Sequence, residues 1–418
     1  MKKWKPTAAA LSIALAVGAC GSSKTATTAT TTTAAGGTST TAGVATSATI
    51  AVGGPFSGSE LGTGDQIKAG AKLAADEINA AGGVTAGPLK GAMIKLDTGF
   101  DDADDPAKAA ANVRRVADDT KYLAFVGSGL SDASIAAAPD ASKAGLPYLS
   151  AYASSPKILD AAVGIKSVFV IPPTFPAYAI SVTDELLKAG HTKPAILHLT
   201  GTYGDGIAGS VVEQLATKSI TPVANESFTF TDKLFNTQLG RIKEKKPDSL
   251  VLVGLPDSDA LILTQADQLG LKVPAFDPGG ITNSDTFLKD AGVLADGVVG
   301  NTPSDAQRNT PAAVALRAAY AKATGETVMP DPAVFAYEGV KAVAAALADG
   351  AGDRAALVTK LHTVSIADTG VGPLSFAPDG SRIGGRLYIF DVKGGKPVFT
   401  TGYEQTGPKA VKEIPLDR

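Results

Sequence analysis

Apolar β-type runs and helical patterns alternate along most of this chain. Runs suited to strands occur at 49–52, 93–96, 122–126, 147–149 and 168–171. Between them, apolar positions recur at helical spacing over 65–80, 106–120 and 131–144. The alternation resumes with runs at 195–199, 223–228, 250–253 and 275–277, separated by helical patterns at 207–217, 236–245, 257–269 and 285–291. Strand–helix alternation with short loops predicts βαβ units, hence parallel sheets with helices on both faces. Two such series predict an α/β protein of two doubly wound lobes, not one very wide sheet. The last third differs. Helical patterns at 311–324, 332–349 and 354–361 precede strand patterns at 374–376, 386–392 and 397–403. A helical block followed by a β-meander is expected when the chain re-enters each lobe in turn.

The first 47 residues stand outside this pattern. Lys2, Lys3 and Lys5 precede an apolar run over 7–17, then Gly18, Ala19 and Cys20. A basic head, a short apolar stretch and small residues at the cut describe a secretory leader. The run is too short for a membrane span, which needs ~20 apolar residues. Val17-Gly18-Ala19-Cys20 resembles the lipobox of bacterial lipoproteins, in which the cysteine sulfur takes a diacylglycerol and becomes the new N-terminus. Residues 21–49 are mostly Thr, Ala, Ser and Gly, with Lys24 the only charge. Such a stretch buries too little apolar surface to offset chain entropy and reads as a disordered tether. The expected division is a leader over 1–19, a tether over 20–47 and a globular body beyond.

Composition narrows the chemistry. The formal net charge is −3, and removing residues 1–19 takes away three lysines and no acid. Nothing here attracts nucleic acid. The basic cluster at 241–246 is interrupted by Glu244 and ends at Pro247, as a solvated helix end does. Cys20 is the only cysteine, so the body has neither a disulfide nor a thiol nucleophile. His191, His198 and His362 are the only histidines and lack ligand-like spacing, which argues against zinc or a histidine-based catalytic site. No metal or cofactor is expected, and no enzyme activity.

In open parallel sheets, ligands bind at loops beyond the carboxyl ends of the strands. Those loops are 53–58, 127–131, 150–155, 200–206, 254–258 and 278–282, all rich in Gly, Ser or Thr. Ser131 is expected to be the N-cap of its helix, and Ser154 or Ser155 that of the next. Helix N-termini present free amides and partial positive charge, so a carboxylate is the natural guest. Gly204-Asp205-Gly206-Ile207-Ala208-Gly209 matches G-x-G-x-x-G, but it follows its strand too late for a dinucleotide turn. The acidic run at 101–105 lacks the central Gly and terminal Glu of an EF-hand. Asp105 before Pro106 reads as an N-cap with Pro at the first helical position.

Several motifs together carry a family resemblance over about 48–391. They are Gly54-Pro55-Phe56-Ser57-Gly58, Gly64-Asp65-Gln66, Ala74-Ala75-Asp76-Glu77-Ile78-Asn79 and Gly82-Gly83-Val84. Further along stand Asp101-Asp102 with Asp105-Pro106, Tyr203-Gly204-Asp205-Gly206, Phe335-Ala336-Tyr337-Glu338-Gly339, and Gly372-Pro373-Leu374-Ser375-Phe376 with Asp379-Gly380. The chain resembles the type I periplasmic binding proteins, specifically the branched-chain amino acid (Leu/Ile/Val) binding family of ABC importers. The resemblance implies a two-lobed clamp with three crossings, lobe 1 being 48–171 plus 303–369 and lobe 2 being 172–302 plus 370–418. Ligand binds between the lobes, which close by hinge motion and dock on a membrane permease.

It also implies residue roles. Ser131 matches a serine that holds the ligand carboxylate, and Ser154 matches a Thr or Ser that contacts carboxylate and ammonium. Tyr152 and Ala153 share that loop and contribute backbone groups. Tyr203 matches a tyrosine that packs over the ligand from lobe 2. Thr63 and Leu255 stand where the family has tyrosines, and Gly279 where it has an acid pairing with the ammonium. Two positions of a family disulfide align with Asp104 and Leu130. A glycine cannot pair with an ammonium, and an unpaired one in a closed cleft costs several kcal/mol. Either Asp257, Asp277 or Glu60 takes over, or the ligand has no ammonium; the second is favoured. The expected function is that of a monomeric solute-binding lipoprotein at the extracytoplasmic face of the cell membrane. It delivers a small polar ligand (amino acid, carboxylate or amide) to an ABC permease. The alternative is a sensor that uses the same clamp.

Overall fold

A computed structural model describes residues 47–418. The leader, nearly all of the tether and Cys20 lie outside the described residues. Five strands build the first sheet: β1 (Ser47–Gly54), β2 (Met93–Asp101), β3 (Tyr122–Val126), β4 (Tyr148–Ser150) and β5 (Val168–Val170). Helices α1 (Leu61–Ala80), α2 (Pro106–Ala117), α3 (Ser131–Ala144) and α4 (Lys157–Ala161) connect them. The order is β2-β1-β3-β4-β5, all parallel. The chain continues through α5 (Phe175–Lys188), β6 (Pro194–Leu199), α6 (Thr202–Ala216), β7 (Ala224–Phe228), α7 (Asn236–Glu244) and β8 (Ser249–Val253). Next come α8 (Pro256–Gln268), β9 (Ala275–Asp277), α9 (Asp285–Ala291) and β10 (Val299–Thr302). Helices α10 (Pro311–Thr324), α11 (Asp331–Ala348) and α12 (Arg354–Leu361) follow, then β11 (Ser365–Ile366), β12 (Leu374–Phe376) and β13 (Arg382–Ile383). The chain ends in the meander β14 (Arg386–Lys393), β15 (Lys396–Gly407) and β16 (Ala410–Ile414). The second sheet has the order β16-β15-β14-β10-β9-β8-β6-β7, antiparallel only from β10 to β16.

Alternation along each strand sends neighbours to opposite faces, so a sheet covered on both faces reads as one apolar run. Ile50, Val52, Ala124, Val126 and Leu149 pack into the core beneath α1 and α11. Ala51, Phe125 and Tyr148 pack into the core beneath α2 and α3. In the second sheet Leu197, Leu250 and Leu252 face one core, while Ile196, Val251 and Val253 face the other.

Besides the two-residue strands β11 and β13, three elements were not anticipated. In α5 nine residues, from Phe175 to Leu186, are buried. A helix covered almost all round has no polar stripe to betray its period. Strand β10 is four residues long and carries Gly300 and Asn301. Strand β16 is an edge strand with no buried residue.

The chain crosses between the sheets after β5 (residues 171–174), after β10 (303–310) and between β13 and β14 (384–385). Strands β12 and β13 lie beyond the expected boundary at 369/370 yet stay with the first sheet. Leu374 and Phe376 bury in the first sheet's core, and Ser381 bridges Val170. A buried ion pair sits beside these crossings. Arg382 donates to Glu338 at 2.8 Å, to the Ile171 carbonyl at 3.0 Å and to the Pro373 carbonyl at 2.9 Å. Two quoted motifs, the one containing Glu338 and the one containing Pro373, therefore build the crossing region.

Candidate ligand-binding cleft

The loops at the carboxyl ends of both sheets carry most of the predicted residues. Ser131 is the first residue of α3, not its cap: Leu130 holds the cap position in extended geometry, and no side chain caps the helix. Ser134 N donates to the Leu130 carbonyl at 3.0 Å, so the amides of residues 131–133 have no helical acceptor. The Ser131 hydroxyl is likewise free of hydrogen bonds among the described residues. At the next loop the cap of α4 is Pro156. Ser155 Oγ accepts from Lys157 N at 3.3 Å, whereas Ser154 Oγ donates to the Tyr152 carbonyl at 3.3 Å and caps nothing. The Ala153 carbonyl accepts from Ser150 Oγ at 2.9 Å. The backbone groups this loop has left to offer are therefore amides. Thr63 is half-buried in the first turn of α1, and its hydroxyl donates to Glu60 at 2.9 Å.

Tyr203 and Gly279 form one unit on the second sheet. The Tyr203 hydroxyl donates to the Gly279 carbonyl at 3.3 Å. A Cβ at position 279 would lie 2.3 Å from that hydroxyl and 2.9 Å from Asp277 Oδ1. The tyrosine tip thus fills the space a side chain at 279 would need. Leu255 is the half-buried cap of α8, closed by a backbone exchange with Ser258.

The three proposed substitute acids are all engaged. Asp277 accepts from the amides of Gly279, Ile281 and Thr282 at 2.6, 2.9 and 2.9 Å. It clamps its own loop. Asp257 is exposed and pairs with Lys233 at 3.3 Å. Glu60 accepts from Thr63. A carboxylate the pattern did not single out, Asp331 at the first turn of α11, stands beside the second crossing. Ser304 Oγ, on the second crossing, donates to it at 2.8 Å. Its charge reaches Tyr152 from the first sheet and Tyr178 from α5, and helps hold both phenols protonated beyond the main effect of burial. Tyr152 stacks on Phe335, one turn along α11, with ring centroids 6.5 Å apart. Loss of water around Asp331, opposed only by Ser304, pushes its pKa up to about 7. The sequence signal was an acid one turn before the Phe335-Ala336-Tyr337-Glu338 motif, but Asp-Pro at a helix start also reads as plain capping.

The decoys resolve into packing. Residues 204–209 lie inside α6, where a Cβ on Gly204 would meet the Leu199 carbonyl at 1.8 Å. Glycine here lets a helix press on its strand. Asp101 accepts from Phe56 N at 2.9 Å and Ser57 Oγ at 2.6 Å, and Asp104 from Ser59 N and Oγ at 3.1 and 2.8 Å. The acidic run therefore ties down the loop after β1. Asp105 caps α2 by accepting from the Ala107 and Lys108 amides, as its sequence setting predicts. Across the mouth of the gap, Thr202 Oγ1 donates to Asp132, linking the starts of α6 and α3.

Asp102, in the same run, is 1% exposed. Burial raises its pKa to about 6, against hydrogen bonds from Ser128 and the Asp104 amide. Its charged form is penalised in the folded state. The penalty is in force above about pH 6 and disappears as the pH falls through 6 toward the unfolded value near 4. Asp102→Asn is expected to be more stable than the parent by about 2 kcal/mol at pH 7.5 and equal to it at pH 4. Urea titrations at both pH values check this; a difference independent of pH contradicts it.

Residues 47–396 match the model of the family described as periplasmic binding protein. The Leu/Ile/Val-binding protein homolog 3 of Brucella melitensis is 27% identical over 352 residues, covering 84% of this chain and 92% of its own. The Leu/Ile/Val-binding protein of Escherichia coli K12 is 27% identical over 353 residues, covering 82% and 90%. The branched-chain amino acid transporter substrate binding protein of Streptococcus pneumoniae, solved with isoleucine, superposes with a TM-score of 0.72 at 25% identity, covering 88% of this chain and 99% of its own. A solute binding protein of Rhodopseudomonas palustris, solved with 3,4-dihydroxybenzoic acid, shares the fold with a TM-score of 0.74 at 22% identity, covering 87% and 98%. The chain therefore belongs to the periplasmic binding protein family, alongside its Leu/Ile/Val-binding members.

Proposed function

We infer that this protein is an extracytoplasmic solute receptor, held to the membrane through a lipid on Cys20 and delivering a small carboxylate-bearing ligand to an ABC permease. The observation that carries the reading is the start of α3. Three amides and the Ser131 hydroxyl stand unpaired at the gap that Tyr203 and Gly279 border from the second sheet. A helix N-terminus with free donors suits a carboxylate. The ligands solved in two structural neighbours, isoleucine and 3,4-dihydroxybenzoic acid, both carry one. The short crossings allow the sheets to close on a ligand by hinge motion, with the first lobe running to about residue 383 apart from the 172–302 insertion. Tyr152, Ala153, Ser154, Thr63 and Leu255 complete the wall. The protein acts as a monomer and performs recognition without catalysis.

A thermal-shift screen of amino acids, aromatic acids and amides tests this, since a ligand bound only by the folded state raises its stability. A carboxylate is expected to register. Ser131→Ala should then weaken it about tenfold, the loss of one hydrogen bond to a charged group. Undiminished affinity would remove the carboxylate anchor.

A further inference from the structure

Gly279 leaves the position of the family's acid on the second-sheet wall empty, Asp277 beside it is spent on its own loop, and the Tyr203 hydroxyl occupies the space in which an acid at 279 could be restored. From the sequence this favoured a ligand lacking an ammonium. The structure supplies a carboxylate from elsewhere. Asp331 is half-buried on the first turn of α11, hydrogen-bonded to Ser304 of the second crossing, and its charge is felt by Tyr152 of the loop after β4 and by Tyr178 of α5. Ser304 occupies Oδ1, while Oδ2 has no protein partner among the described residues. No lysine or arginine pairs with Asp331 among them either. The guanidinium whose charge reaches Tyr178, that of Arg382, is committed to Glu338.

An acid in the first turn of a helix is common, because it complements the helix dipole. That role does not require withdrawal from water. A half-buried carboxylate left without a cation is partly desolvated, and a ligand that brings the cation relieves the cost. The surroundings also suit a cation. The Tyr152 and Tyr178 hydroxyls make no hydrogen bond to the described residues, and aromatic faces attract ammonium groups. Tyr178 lies beside the Gly279-Gly280 loop, since a Cβ on Gly280 would lie 3.4 Å from its ring. Tyr178, which feels the Asp331 charge, thus borders the same gap as Tyr203.

We propose that Asp331, positioned by Ser304, is the cation-recognising group of this cleft, so that the solute is a zwitterion with its carboxylate on the start of α3 and its ammonium on Asp331. The proposal rests on the solute-receptor reading above and names the ligand class within it. Recognition of positive charge has moved from the second-sheet wall to the crossings, so ligand charge and hinge geometry meet at one residue.

The test is a matched panel: L-leucine, L-phenylalanine and glycine betaine, each beside its analogue without the nitrogen and its analogue without the carboxylate. Melting temperature and calorimetric affinity are read at pH 7.5. At least one zwitterion should stabilise the protein while its nitrogen-free analogue does not. Asp331→Asn should weaken that zwitterion on the order of 100-fold. Its unliganded melting temperature should be unchanged or higher, which shows that the variant folds. Ser304→Ala should weaken binding less. If a nitrogen-free carboxylate binds as well as its parent, or Asp331→Asn keeps full affinity, the proposal is wrong and the receptor reading survives. If no member of the panel binds, both fail.

Discussion

Arg382→Met is expected to lower the unfolding free energy by about 3–5 kcal/mol, as removing one partner of a buried ion pair generally does. Arg382 is 2% exposed and Glu338 is fully buried. The guanidinium also satisfies the carbonyls of Ile171, which opens the first crossing, and of Pro373, which packs beside Gly384 of the last one. Methionine fills much of the volume but leaves Glu338 charged in a dry site, with only Thr369 Oγ1 still donating to it. Replacing both members with apolar residues should recover part of the loss, because well-packed apolar pairs often match buried ion pairs in stability. Urea unfolding of Arg382→Met and of the Arg382→Met, Glu338→Leu double variant checks this. A double variant that falls below the single one would show that Glu338 is not the stranded group.

Gly70→Ala is expected to cost about 2 kcal/mol, although alanine is the better helix former by about 1 kcal/mol. A Cβ at Gly70 would stand 1.9 Å from the Ala333 carbonyl, on the backbone of α11. Backbone cannot swing aside as a side chain can, so α1 and α11 must separate. These helices begin at Thr63's turn and at Asp331, so their separation displaces two residues of the proposed site together. Thermal unfolding should show the loss, and any ligand found by the screen should bind more weakly to this variant. An unchanged melting temperature would mean that the helices yield without strain.

Much of the architecture was legible in the amino-acid order because it depends on local period. Parallel strands buried on both faces appear as short apolar runs, and α3 was read with the bounds it has, from Ser131 to Ala144. What failed to show locally was α5, whose burial on nearly all sides erases the amphipathic signal. The edge strand β16 was missed for the opposite reason, having no buried residue to mark it.

The cleft divides the same way. The order of residues placed Ser131, Tyr203 and Gly279 on loops at the carboxyl ends of strands, because βαβ topology sends those loops to one rim. It also showed that Gly279 could not pair with an ammonium. Only the tertiary structure revealed that Asp257, Asp277 and Glu60 are engaged, that Tyr203 fills the space at Gly279, and that Asp331 stands beside the second crossing. Its neighbours Ser304 and Tyr178 are 27 and 153 residues away in sequence. Local pattern records which face of an element is buried, whereas the company a side chain keeps depends on how distant segments cross.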